Sequence, residues 1–255
     1  MVGPPPELKV MLKDAVSRLA GSKQVLTAEF TAAGGSEADF APKLKPITDL
    51  FPQITVNSYC NIGSIRYLIK GQIDNKNAFE PAVTMFKEIM ASYIIGPGDL
   101  TIESVLVALL KDKKFRISFA ESCTGGLLAA KLTGVAGASD VIGASIVTYS
   151  NEAKIKYLRV KTETLARHGA VSRETVREMV TGLTELTGSN VGIAVSGIAG
   201  PGGGTAKKPV GLVHYGIKIG KEIFLEKRIF RGERNLIRER AALWILYRLW
   251  DYLRH

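Results

Sequence analysis

Cysteine and histidine are the scarcest chemistry in this 255-residue sequence, with two of the first, Cys60 and Cys123, and three of the second, His168, His214 and His255. The cysteines have no paired spacing and the histidines lie far apart along the chain, which excludes a disulfide framework and any zinc-finger-like pattern. No metal and no cofactor is expected. Long apolar runs are missing too, since nothing approaches the ~20 residues that a membrane helix requires. The opening residues Met1-Val-Gly-Pro-Pro-Pro have neither the basic nor the apolar part of a secretory signal, so the expected address is the cytoplasm and no membrane partner is expected. What the chain does have is 46% hydrophobic content, enough for a large buried core or for a core domain with a smaller companion.

The net charge of +10 is unevenly spread. Residues 1–110 carry 10 basic against 11 acidic side chains, and residues 111–255 carry 24 against 13. The second half therefore attracts anions, a class that includes nucleic acid and phosphorylated metabolites, although a solvated basic surface accounts equally well for most of these side chains.

Periodicity divides the chain in three. Residues 1–20 are read as a helical remnant and linker, with apolar residues at helical spacing over residues 7–20. Residues 21–97 give strand, helix, strand, strand, helix, which is a small α+β domain, closed by the linker-like Ile94–Thr101. Residues 98–255 alternate strands at Arg116–Ala120, Val141–Tyr149 and Val191–Ser196 with helices at Thr124–Leu132, Glu152–Leu158 and Glu174–Thr187. Two further strands, Val210–Ile219 and Glu222–Phe230, and a closing helix, Arg234–Arg254, follow. This order predicts a three-layer α/β domain with a mixed sheet.

Ligands of such sheets collect beyond the carboxyl ends of the strands, and three strands here end in polar segments. The first, "FAESCTGG" (Phe119 to Gly126), runs Glu121, Ser122, Cys123 and Thr124 into a helix whose first turn is expected to hold Gly125 and Gly126. Free N–H groups there would face an anion or a developing oxyanion, although a plain capped turn satisfies the same pattern. The second, "TYSNEAK" (Thr148 to Lys154), places Lys154 near a helix N-terminus, where the dipole disfavours its charge. A neutral lysine can activate a serine, with a nearby tyrosine hydroxyl such as that of Tyr149 to orient or relay a proton. A solvent-facing lysine is the ordinary alternative. The third, "SGIAGPGGGTAKKPVG" (Ser196 to Gly211), is a glycine-rich loop suited to wrapping phosphate or ribose, and it matches neither the Walker nor the dinucleotide pattern. Cys123 is the rival nucleophile, with no histidine near it in sequence.

"AESCTGG", "VTYSNEAK", "HGAVS" (His168 to Ser172) and "SGIAGPGGG…KPVG", in that order, resemble the carboxy-terminal domain of the CinA (competence/damage-inducible) family over roughly residues 100–255. The resemblance implies deamidation of nicotinamide mononucleotide to nicotinic acid mononucleotide and ammonia, with Ser122, Tyr149 and Lys154 at the family's catalytic positions. Substrate-binding positions are then expected at Glu121, Cys123, Thr124, Gly125 and Gly126 in the first segment. The second contributes Asn151, and the third Ser196, Gly197, Gly203, Gly204 and Thr205. The backbone N–H groups of Cys123 to Gly125 are the expected oxyanion donors. The family's middle, KH-like domain would correspond to residues 21–97, and its amino-terminal molybdopterin-binding-like domain would be missing. Asn61-Ile62-Gly63-Ser64 is not a GxxG clamp, which argues against nucleic acid as partner. A homodimer is the expected assembly, as in the family. The competing readings are a non-catalytic nucleotide-sensing or nucleic-acid-associated module, and an amidase for another small amide.

Overall fold

The computed structural model describes residues 24–255, so the helix expected over residues 7–20 lies outside the described residues. The small domain runs β1 (Val25–Ala33), α1 (Glu37–Leu50), β2 (Thr55–Asn61), β3 (Ser64–Gln72), α2 (Lys76–Met90) and β4 (Ile94–Pro97). Its strands are antiparallel in the order β2-β3-β1-β4, a split β-α-β arrangement. Residues 94–97 were expected inside a linker; they form the edge strand β4, paired with Phe30–Ala32. Gly96 and Pro97 hide it, because a short edge strand tolerates proline that an interior strand would not. The helices cover one face of the sheet around Phe40, Ile47, Tyr67, Ile69, Phe86 and Met90.

After α3 (Ile102–Asp112) come β5 (Ile117–Glu121), α4 (Leu127–Thr133), β6 (Ile142–Val147), α5 (Asn151–Leu158), α6 (Thr162–His168) and α7 (Arg173–Thr187). The chain ends with β7 (Val191–Gly197), β8 (Leu212–Ile219), β9 (Glu222–Ile229) and α8 (Arg234–Leu253). The sheet order is β6-β5-β7-β8-β9, with β5 parallel to both neighbours and the last two strands antiparallel. Every residue of β5 and nearly all of β7 is buried, as expected of parallel strands covered on both faces. Helices α3, α4 and α8 share the larger apolar cluster with one face of the sheet, and α5, α6 and α7 carry the smaller cluster on the other. The mixed α/β sandwich predicted from the alternation is thus the fold observed.

Two close approaches show how tightly the elements pack. A Cβ at Gly182 of α7 would lie 2.0 Å from the Leu158 carbonyl oxygen, so the end of α5 rests directly on the α7 backbone. Between the domains, a Cβ at Gly34 would come within 2.1 Å of the Tyr247 ring, while Ala33 and Ile95 join the cluster that holds Leu243 and Leu246 of α8.

Candidate active site

Beyond the carboxyl ends of β5, β6 and β7 lies a cleft of about 290 Å³. The Ser122 N–H donates to the Val195 carbonyl at 3.1 Å, which continues the β5–β7 pairing by one residue and stations the serine at the cleft floor. Opposite, the Ser150 side chain caps α5 by accepting from the Ala153 N–H at 3.1 Å. One turn into that helix Lys154 turns inward and is 1% exposed. Its Nζ reaches Ser122 Oγ at 3.2 Å and donates to the carbonyls of Thr148 at 2.8 Å and Tyr149 at 3.2 Å.

No carboxylate lies within 4.0 Å of Lys154 among the described residues. Burial holds its pKa below the usual lysine value. In its neutral form the amine would use its two N–H groups on the two closest carbonyls and turn its lone pair to the Ser122 hydroxyl. The rival thiol is disfavoured by the same burial, which pushes Cys123 up to about 12.

The turn from β5 into α4 differs from the expected one. Thr124–Leu132 was expected to be helical with Gly125 and Gly126 in its first turn, but the helix begins at Leu127. Both glycines have positive φ, 62° and 93°, which places them in a tight turn ahead of the helix. Gly126, at the cap position, has no side chain to offer the helix. The Glu121 carboxylate supplies the cap from the end of β5, accepting from the N–H groups of Gly126, Leu128 and Ala129 at 3.0, 3.1 and 3.0 Å. Glu121 is fully buried in that role, so its expected place against substrate is corrected to a helix cap. The Gly125 N–H donates to the Ser122 carbonyl and is removed from the oxyanion set. The Cys123 and Thr124 N–H groups take no acceptor from the described residues and remain available.

Of the other expected binding positions, Cys123, Ser196, Gly197 and Gly203 line the cleft, together with Ser122, Tyr149 and Lys154. Thr124, Gly125, Gly126, Asn151, Gly204 and Thr205 do not. The Thr124 hydroxyl is buried without a partner, and Thr205 is turned to its own loop, accepting from the Lys208 N–H at 3.0 Å. Tyr149 is 62% exposed, and its hydroxyl accepts from Arg234 at 3.0 Å. Its contact with Lys154 is made by its carbonyl instead.

Arg234, absent from the expected set, enters the cleft from the first turn of α8 and also donates to the Gly200 carbonyl at 2.8 Å. It stands 85 residues from Tyr149, and no local pattern marks it. Ala170 and Val171 were likewise missed as lining residues, although they lie within the "HGAVS" stretch. Among the described residues no acidic side chain lines the cleft, and Arg234 is its fixed positive charge.

The fold and this geometry define an α/β protein with a serine–lysine pair at the mouth of its parallel strands. The chain matches the CinA C-terminal domain over residues 99–253, and it belongs to the CinA family. A CinA-like protein of Kosmotoga olearia is 39% identical over 96% of this chain, and one of Fusobacterium nucleatum is 46% identical over 79%. The chain spans only 61% and 48% of the lengths of those two relatives. Among solved structures, a competence-damaged protein (CinA) superfamily protein of Klebsiella pneumoniae aligns with TM-score 0.59 and 36% identity, covering 60% of this chain and 96% of its own. A competence/damage inducible protein of Agrobacterium tumefaciens aligns with TM-score 0.57 and 39% identity, covering 62% of this chain and all of its own. Among the described residues no helix is long and apolar enough to cross a membrane.

Proposed function

We propose that this site hydrolyses the carboxamide of nicotinamide mononucleotide to nicotinic acid mononucleotide and ammonia. The observation that carries the reading is the buried Lys154 amine 3.2 Å from Ser122 Oγ, with no ion-pair partner within 4.0 Å among the described residues. Ser122 Oγ attacks the amide carbon while Lys154 Nζ takes the hydroxyl proton. The oxyanion forms against the Cys123 and Thr124 N–H groups. Lys154 returns the proton to the departing nitrogen, and ammonia leaves a nicotinoyl ester on Ser122. Water, deprotonated by the now neutral Lys154, attacks that ester, and the proton returns to Ser122 Oγ as the acid product departs.

The Arg234 charge in the cleft and the +11 balance of residues 111–255 support a phosphorylated substrate. Arg234 is placed to bind its anionic part, with Tyr149 held beside it. Ammonia release from nicotinamide mononucleotide, with chelator present, tests the reading. Wild type is expected to release ammonia, and Ser122→Ala and Lys154→Ala to lose about 10³-fold or more in kcat while remaining folded, as when a member of a catalytic set is removed. A folded wild type without release would overturn the deamidase reading in favour of a binding module. Release from other small amides in preference to the mononucleotide would move the substrate and keep the chemistry.

A further inference from the structure

The cleft is closed by two walls that belong to different parts of the chain, the Ala170–Val171 turn after α6 and the Ile198–Gly203 stretch after β7. No strand pairing joins them. From the loop that follows the second wall a side chain reaches the first: Lys208 Nζ donates to the His168 carbonyl at 2.7 Å and to the Val171 carbonyl at 2.8 Å. Both ends of this bridge are braced. On the loop side the Thr205 N–H donates to the Lys208 carbonyl at 2.8 Å, and the Lys208 N–H donates to Thr205 Oγ1 at 3.0 Å. On the turn side the hydroxyls of Ser172 and Thr175 donate to the Gly169 carbonyl at 3.0 and 2.8 Å. His168 ends α6, so the ammonium also sits at the negative pole of that helix. Its neighbour Lys207 is exposed and makes no such bond among the described residues.

We propose that Lys208 is a positioning residue, which sets the spacing of the two cleft walls and thereby the affinity for substrate; as to reaction, this rests on the deamidase reading above. Charge-assisted bonds to carbonyls contribute more than neutral ones, and two of them from one ammonium fix a distance rather than a single contact. Because the Lys208 ammonium holds the first wall through main-chain carbonyls and its own loop through Thr205, its loss loosens binding before it disturbs the Ser122–Lys154 pair.

The test compares wild type, Lys208→Met, Lys208→Arg and Lys207→Met, the last removing the same charge one residue away. In ammonia release from nicotinamide mononucleotide, Lys208→Met is expected to raise KM about tenfold or more, the equivalent of ~1.4 kcal/mol. Its kcat is expected to change far less and its pH profile to stay unchanged. Lys208→Arg recovers part of the loss, and Lys207→Met leaves KM near wild type. Hydrogen exchange at amides 169–172 and 198–206 is expected to quicken in Lys208→Met and not in Lys207→Met. Wild-type exchange in Lys208→Met, equal KM increases for both methionine variants, or a fall in kcat at constant KM would each overturn the proposal. The exchange measurement needs no substrate, so it separates a failed clasp from a failed deamidase reading.

Discussion

At the residue scale the decisive quantity is the charge on Lys154. Burial depresses its pKa, so the amine is neutral over a wider pH range than a free lysine. The kcat/KM for ammonia release should rise with pH through a midpoint below the usual lysine value and then level, and Ser122→Ala should retain no such limb. Linkage gives an independent check. Between the depressed folded pKa and the higher unfolded one, the unfolded chain binds more protons, so folding stability rises with pH there. Denaturation midpoints of wild type and Lys154→Met, followed against pH, should therefore move in favour of wild type as the solution becomes alkaline through that window. A difference independent of pH would mean that the lysine is not titrating from a buried neutral state. The pair itself was legible in sequence, because a serine and a lysine each end or follow a strand in a recognisable segment. Arg234 was not, since it reaches Tyr149 only through the packing of α8 beside the sheet.

At the element scale the succession of strands and most helices along the chain follows from periodicity and capping residues, whereas the order of strands within each sheet was read only from the structure. Ser150 and Ser172 begin α5 and α7 where their hydroxyls accept from the N–H three residues on. The start of α4 was misread because its cap comes from Glu121, five residues before the first N–H it binds and in the preceding strand. A glutamate in that position looks, in sequence, like a site residue. Glu121→Ala leaves three N–H groups at the buried start of α4 without their acceptor, and a stability loss of at least about 1–3 kcal/mol is expected in chemical denaturation. Activity at a temperature where the variant is still folded should fall much less than in Ser122→Ala. A loss of activity as large, with stability intact, would return Glu121 to the substrate.

At the scale of the whole molecule, the family match begins at residue 99 and the solved relatives align over about the share of this chain that follows it. A chain starting at residue 99 is expected to fold and to release ammonia from nicotinamide mononucleotide at a rate close to that of the 255-residue protein. It should also unfold at a lower temperature and bind more of an apolar dye, because Ala33 and Ile95 no longer cover Leu243 and Leu246 of α8. A fragment as stable as the full chain would mean that the small domain adds nothing to the large core.

Among the described residues strand β6 has a partner on one side only, and the backbone just past its end holds the Lys154 amine. Strand β5, which leads to Ser122, is paired on both sides. Fraying is easiest at a one-sided strand, so Lys154 and Ser122 belong to regions of unequal persistence. A brief opening of β6 would release the lysine to water and recharge it while the serine stays in place. On the deamidase reading, such an opening would part the proton acceptor from the serine while the rest of the sheet stays folded.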